Sequence, residues 1–567
     1  MYTDRRLWFN DRTRAHTMFD FLKRAFPLQR GDLPRGLLLV AYLFLIICAY
    51  QVGKVARDAF FLDRFGAELL PYVDITVFLL VGVTVAAYVR IGTRVGLRRV
   101  LLGSLVLFGG IGAVFAALAR DTDPLWLYPV VYVWVGIFGV LAPAQVWTLA
   151  NYVVTPREAK RMFGLVAAGA TLGATVAGLL SRLFTRLFGA ESLLVLVAGM
   201  LLAATLVVEQ LWRRRPEGLA TRDDAGVEKK SLGSLRESLR IISGSPYLRA
   251  VAGVIALSSF VTALAGWQFK AIAQETYVVR PMMETAAGTL PARTPEEAAD
   301  ALATFFGTFE AAVGAACLAV QVLLTARVLS HVGLRSVLFL LPVGLLLGSA
   351  GLLAVGTLAA AVALRATDKI LRYSIDRPAV ELLYLPVPIG WKLQAKSFID
   401  TVVWRAGDGL AGITVLAFAT LGGLSAVQLS WVTLPLIAVW LGLAALAYRR
   451  YVETLEDSLQ KHRLDVERAV SPVLDRATTD ILATRLDAVD PREILYALDL
   501  LSSGPHQAAH PAVPGLLEHP APEVRRRAHE ILSATGEEDI LDRVEALLDD
   551  PSLEVRTEAL IYLARHA

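Results

Sequence analysis

"LRATDKILRYSID", residues 364–376, decides how many helices this chain folds into. It sets Arg365, Asp368, Lys369, Arg372 and Asp376 among apolar neighbours, although an ionised group at the centre of a bilayer costs several kcal/mol. Wound at about 100° per residue, the five fall in one stripe about 100° wide, which leaves Leu364, Ile370, Leu371 and Ile375 for the packed faces. Such a helix either crosses the membrane with its charges turned to an interior cavity or lies flat in the interface. The flat arrangement leaves an odd number of crossings and puts the two ends of the chain on opposite sides.

Outward from this stretch, apolar runs long enough to span a bilayer occupy residues 36–56, 72–90, 100–119, 125–147, 162–181, 192–212, 248–268, 303–325, 397–421 and 426–447. With 55% of 567 residues apolar and 19% charged, the chain reads as a polytopic membrane protein. Residues 336–364 are almost free of charge, too long for one crossing and too short for two. An internal repeat divides them. "VGLRRVLL" at 95–102 returns as "VGLRSVLF" at 332–339, displaced by 237 residues, and "AKRMF" at 159–163 returns as "AKSFI" at 395–399, displaced by 236. Carrying the third and fourth spans forward gives helices near 337–356 and 362–384. The expected fold is therefore all-α: two pseudo-symmetric six-helix bundles at 36–212 and 248–450, with a charged segment 1–35 before them and a linker 213–247 between them. Lys and Arg crowd the first segment, the loop "RIGTRVGLRR" and the linker, whereas "RPMMETAAGTLPARTPEEAAD" after the seventh span is acid-rich. Short basic loops face the cytoplasm, so both termini are expected there, in a bacterial inner membrane.

From about residue 450 the chain turns charged and acquires a period of 31 residues, seen in Ala497, Ala528 and Ala559 and in Leu501, Leu532 and Leu563. Its best copies are "PAPEVRRRAHEIL" and "PSLEVRTEALIYL". Residues 451–567 thus resemble an α-solenoid of HEAT-type repeats, in which Pro starts a helix, Val and Ala pack into the neighbour and the Arg after Val sits at the helix edge. Such an array binds a partner or packs on its own chain.

Enzyme chemistry finds no support: the sequence has no Walker lysine loop, no histidine pair at metal spacing and no nucleophile elbow, so no catalytic residue, cofactor or metal is expected. His506, His510 and His519 lie in a repeat loop and read as solvated, and Cys48 and Cys317 lie in apolar runs as core residues. Net charge is only +4, and nothing suggests a nucleic-acid partner.

Charges inside the spans carry the functional reading. Lys54, Arg57 and Asp58 share a face at the outer end of the first span, Lys270 ends the seventh, Glu310 lies within the eighth, and Lys396 with Asp400 forms an i, i+4 pair opening the eleventh, followed by Arg405 and Asp408. In a water-filled cleft the cations attract phosphate or carboxylate, and Arg fits phosphate bidentately. Asp58, Asp400 and Glu310 then hold the cations apart in an empty site, or couple to protons. The bland counterpart is that the lysines snorkel to an interface and the acids make structural ion pairs.

Longer motifs bring in a family resemblance. "YSIDRPAVELLYLP" at 373–386 and "KLQAKSFID" at 392–400 resemble consecutive stretches of the ATP/ADP exchangers of plastids and intracellular bacteria; so do "YQVGKVARD" at 50–58, "GAELLP" at 66–71, "WTLANYVVTPREAKR" at 147–161 and "FFGTF" at 305–309. The resemblance covers roughly residues 35–450. It implies a major facilitator-like fold, a nucleotide as cargo, and family basic positions at Arg57 and Lys396. The expected substrate-binding set also takes in Arg372, Glu381 and Arg405. Helix four, Tyr128 to Val140, has no acid where the family has a nucleotide-binding Glu, and Leu264 stands where members show Glu. The expectation is a transporter of a nucleotide or related phosphorylated anion with a repeat domain for regulation or partner binding. The alternative, from another class, is a non-transporting receptor or scaffold whose bundle senses a ligand.

Overall fold

The computed structural model describes residues 33–154, 156–214, 235–286, 295–460, 482–488, 490–502, 510–535 and 541–566. Every regular element among them is helical. Six long helices form the first half: α1 Leu33–Arg64, α2 Leu70–Val95, α3 Leu97–Asp121, α4 Leu127–Val153, α5 Pro156–Phe188 and α6 Ser192–Arg213. The second half holds α7 Pro246–Ala286, α8 Pro295–Leu323, α9 Thr325–Val355, α10 at 358–383, α11 at 389–421 and α12 Ser430–Gln460. Eleven of these are long and apolar enough to cross a membrane, and the twelfth is α10, the charged helix with which the sequence reading began. It is no flat surface helix. Asp368, Lys369, Arg372 and Asp376 are all buried, and α10 packs against α7, α8 and α9.

Backbone turns show the two-fold repeat more plainly than the side chains do. The chain takes a positive φ at Gly96 (89°) and Gly333 (78°), at Asp123 (43°) and Gly356 (65°), and at Gly189 (80°) and Gly423 (69°). Each pair breaks the chain at matching places in the two halves. Gly suits such turns because it has no Cβ to clash in this region, which is why "VGLR" survives in both copies. Packing repeats in the same way: α1 lies against α4, α5 and α6, and α7 against α10, α11 and α12; α3 pairs with α6 as α9 does with α12. The halves meet where α5 runs along α8 and α2 along α11.

Small residues set the α5–α8 approach. A Cβ added at Gly178 would lie 2.2 Å from the Ala311 amide nitrogen, and one at Gly307 would lie 2.8 Å from that of Arg182. In a bilayer, where apolar surface gains little from helix association, such close backbone contact is a main source of helix adhesion.

Several boundaries differ from the sequence expectation. Helix α7 runs on to Ala286, so the first residues of the acidic segment are helical and Lys270 lies inside the helix rather than at its end. Likewise α1 continues to Arg64, which puts Lys54, Arg57 and Asp58 in its interior. A hydropathy window stops at the first charges, whereas the helix continues because those charges are paired or packed over tyrosine rings between the halves. The linker contains a short amphipathic helix, Leu235–Gly244, resting on the start of α11. The segment 1–32 and residues 215–234 lie outside the described residues.

Helix α12 extends ten residues past the expected boundary at 450, and its Tyr451 and Leu455 pack with Leu482 into the apolar cluster that also holds Tyr247 and Tyr384. Through this cluster, with Tyr496 and Leu501 at its edge, the tail rests on the bundle. Its helices are α13 Pro491–Ser502, α14 Pro522–Thr535, α15 Leu541–Ala546 and α16 Leu553–His566. Ala497, Ala528 and Ala559 are fully buried between them, as the period requires. The Arg expected at the helix edge is buried instead: Arg525 makes two 2.7 Å bonds to the carboxylate of Asp550 and caps the carbonyls of His519 and Pro520. His510 and His519 accept backbone N–H bonds in the turns, and His506 lies outside the described residues.

Two outcomes follow. Gly178→Leu is expected to cost about 1–3 kcal/mol or more through overpacking of the α5–α8 contact, lowering the midpoint in a fluorescence-detected thermal melt, while Gly103→Leu, whose Cβ meets nothing within 4 Å, leaves it unchanged. In the tail, the hydrogen bonds from Arg525 hold the Asp550 carboxyl below its ordinary range. A carboxyl depressed in the folded state adds stability at neutral pH and loses it as pH falls through about 4 toward the folded value. Limited proteolysis across that interval should therefore open the tail of the wild type, and Asp550→Asn should be cut more readily at neutral pH with a weaker dependence on acid.

Candidate functional site

Two charged clusters lie where the halves face each other. In the first, α7 reaches across to α1: Lys270 Nζ donates to Asp58 Oδ1 at 2.9 Å and lies 3.4 Å from the Tyr132 hydroxyl on α4. That hydroxyl donates to Asp74 Oδ1 on α2 at 2.9 Å. The Arg57 guanidinium stacks over the Tyr132 ring at 4.1 Å. Its Nε stands 3.4 Å from Asp58 but out of hydrogen-bonding alignment, which leaves that N–H unsatisfied. Lys54, one turn earlier, sits 5.8 Å from the Tyr50 ring, and the carboxylates whose field reaches it, Asp58 and Glu310, are already taken by Lys270 and Lys369. The i, i+3 and i+4 spacing of Lys54, Arg57 and Asp58 gives one helix face two cations and one acid.

The second cluster belongs to the second half. Asp368 accepts from Arg365 at 2.8 Å and from Arg372 at 2.9 and 3.1 Å, and from the Thr262 hydroxyl at 3.0 Å. Arg372 also donates to Ser258 Oγ at 2.8 Å and to Thr262 Oγ1, with its guanidinium 5.3 Å from the Trp404 ring. Lys369 donates to Glu310 across the α8–α10 contact. Here the charges are matched by carboxylates and hydroxyls, as burial demands.

At the end of the bundle away from the termini the halves are bonded directly. Trp267 Nε1 donates to Ala67 O at 2.8 Å, Gln274 donates to Leu62 O at 2.7 Å and accepts from Ala67 N at 2.8 Å, and Thr420 donates to Glu68 O at 3.1 Å. Asp300 accepts from Ala190 N at 2.6 Å.

Of the residues singled out from sequence, the structure brings Lys54, Arg57, Asp58, Lys270 and Glu310 to this interface, and holds Arg372 among Asp368, Ser258 and Thr262 within the second half. It does not bring Glu381, Lys396 and Asp400 there. Lys396 donates to both oxygens of Glu381 at 2.6 Å, so the expected i, i+4 partnership with Asp400 is replaced by one reaching back to α10, and Asp400 is exposed. Glu381 lies nine residues past Arg372, about two and a half turns toward the mouth of the bundle. Arg405 is half-buried on α11. Asp74 and Tyr132 were missed. A lone acid in an apolar span was signal enough for Asp74; nothing in the sequence marks Tyr132.

This is the architecture of a two-half membrane carrier with its polar groups held at the interface. Residues 35–367 match the Major Facilitator Superfamily, and the chain belongs to that family; residues 478–564 match HEAT repeats. Curated relatives include ADP,ATP carrier protein 1, chloroplastic, of Arabidopsis thaliana, 23% identical over 79% of this chain and 78% of that one. The Plastidic ATP/ADP-transporter of Solanum tuberosum is 24% identical over 76% of this chain and 75% of its own. Among solved structures, the nucleoside transporter NupG aligns with a TM-score of 0.48 at 11% identity, covering 74% of this chain and 98% of that one. A bacterial homolog of the human lysosomal transporter Spinster aligns at 0.46 and 16%, covering 76% and 99%.

The Lys369–Glu310 pair allows a clean energetic check. Removing one partner strands a buried charge and is expected to cost roughly 3–5 kcal/mol, so Lys369→Gln and Glu310→Gln should each lower the thermal midpoint sharply. The double variant should recover most of the loss, and a thermodynamic cycle on the purified full chain measures the coupling.

Proposed function

We propose that this chain moves a nucleotide, or an anion carrying comparable phosphate groups, across a membrane by alternating access. The observation that carries the reading is the unequal pairing of the first cluster: Asp58 is shared by Lys270 and Arg57, and Lys54 has no carboxylate partner among the described residues. A site short of negative charge, partly desolvated and lined by Tyr50 and Tyr132, suits phosphate oxygens flanked by flat apolar surface. The relatives named above carry ADP and ATP, which fits that chemistry.

A working cycle can be built on these residues. Phosphate entering between Lys54, Arg57 and Lys270 competes with Asp58 for the lysine. The Lys270–Asp58 bond is one of those joining the halves, so its loss weakens the closed end and lets the halves rock to the other side. Only a ligand that binds one arrangement better than the other can drive such a change, and a bridging anion does so by replacing Asp58. Entry is from the termini end, where Tyr373 and Trp391 are half-exposed. We assign that end to the cytoplasm from the basic loops, and the membrane to a bacterial inner membrane. The units at 1–35, 36–212, 213–247, 248–450 and 451–567 serve as cytoplasmic segment, first bundle, linker, second bundle and regulatory repeat domain, and no bond-making chemistry is assigned to any of them.

Reconstituted vesicles loaded with ADP and given labelled ATP test this. Wild type should exchange. Lys54→Gln and Arg57→Gln should each lose the equivalent of about 1.5–3 kcal/mol of charge-assisted binding, seen as weakened uptake and weakened ATP-dependent thermal stabilisation, while Lys396→Gln, at the exposed rim, should lose little. Normal ATP stabilisation in both Lys54→Gln and Arg57→Gln would remove the proposed site.

A further inference from the structure

Helix α11 crosses α7 at Gly407, where an added Cβ would lie 2.7 Å from Ala256 O and 2.8 Å from Ser259 Cβ. This approach presses two α11 oxygens onto one hydroxyl. Ser259, fully buried, has its Oγ 2.6 Å from Asp408 Oδ1 and 2.8 Å from the Trp404 carbonyl oxygen. A hydroxyl owns one proton, and a carbonyl oxygen can only accept. One proton satisfies both contacts only as a shared three-centre bond, whereas two protons make two full hydrogen bonds of these lengths. Were Asp408 ionised, it would take the hydroxyl proton and leave the fully buried Ser259 hydroxyl and the Trp404 carbonyl lone pair against lone pair at 2.8 Å. The second proton therefore belongs on Asp408.

The surroundings agree. The charged groups whose field reaches Asp408 are Arg405 on its own helix, Asp74 on α2 and Arg372 on α10. Arg372 is committed to Asp368, and no cation lies within ion-pair distance of Asp408 among the described residues. Asp74, by contrast, accepts from Tyr132, whose hydroxyl also faces Lys270. Helix α2 meets α11 here, with a Cβ at Gly412 falling 3.6 Å from Ile75. Two like charges at this contact would repel at low dielectric, and one proton removes the conflict.

We infer that Asp408 is a proton-binding site, loaded when the end away from the termini is closed, and that its proton crosses with the cargo. Opening that end parts α2 from α11, admits water, and releases the proton to it as the carboxyl ionises. The first half of this inference is independent of the cargo; the second rests on the transport reading above.

Infrared difference spectra of the purified full chain separate the two. Wild type minus Asp408→Asn, at neutral pH, should show the C=O stretch of a protonated carboxyl, shifted by exchange into heavy water, and Ser259→Ala should move that band by removing its acceptor. A difference containing only ionised-carboxylate bands would overturn the protonation, and so would a carboxyl band that ignores Ser259→Ala. Vesicles containing a pH-sensitive dye and given ATP then test coupling: wild type should acidify the lumen as ATP enters, and Asp408→Asn should take up ATP with no acidification. ATP uptake by wild type without proton movement would overturn the coupling. Absence of uptake by wild type both here and in the ADP-loaded vesicles would sink the transport reading and the coupling with it, leaving the spectrum to decide the proton site; uptake only in the ADP-loaded vesicles, with no acidification, would overturn the coupling alone.

Discussion

The bond from Lys270 to Asp58 is the contact on which the arrangement of this protein turns. It joins α7 of one half to α1 of the other in a setting of low polarity, and it holds Tyr132, and through Tyr132 Asp74, in register. Burying an ion pair recovers little net stability, because desolvation offsets most of the attraction. Its value lies in being specific to one placement of the halves. Bonds from Trp267, Gln274 and Thr420 to the α1–α2 turn close the same end, but those are neutral and have no quarrel with an incoming anion. The lysine does.

A symmetric backbone thus carries asymmetric chemistry. Three pairs of positive-φ turns and the repeated packing of α1 and α7 show that each half is built on one plan. The polar groups do not follow it. In the first half, cations lie over tyrosine rings, Arg57 on Tyr132 and Arg64 on Tyr128, both at 4.1 Å. In the second, Arg365 and Arg372 share Asp368, and Lys369 pairs with Glu310. One side therefore offers cations over flat aromatic surfaces, and the other cations each held by a carboxylate. The repeat tail adds a third element, set against the α12 end through Tyr451, Leu455 and Leu482.

Much of this was legible in the sequence, for identifiable reasons. The stripe at 365–376 is a helical period that any inward-facing charged helix must show, and "VGLR" recurs because a left-handed turn needs its glycine. The repeat alanines at 497, 528 and 559 were legible because a small residue must recur wherever helices stack. What escaped was partner choice. Lys396 was read against Asp400, four residues on, yet it bonds Glu381 on another helix, since helix spacing says which residues share a face and not what stands opposite. Helix ends escaped too, because Lys54 and Lys270 look like boundary residues to a hydropathy window while the helices run past them to Arg64 and Ala286. Arg525 escaped because no local pattern reveals a carboxylate 25 residues away.

The most direct test is the distance between spin labels at Leu125 and Leu421, exposed residues at the end away from the termini, one on each half. Double electron–electron resonance on the full chain should give a short distance without ligand, a growing long-distance population when ATP is added, and the same growth without ATP in Lys270→Gln, whose bond between the halves is gone. A single short distance unchanged by ATP and by Lys270→Gln would contradict the account, because the halves would then not move about the bond that is held to govern them.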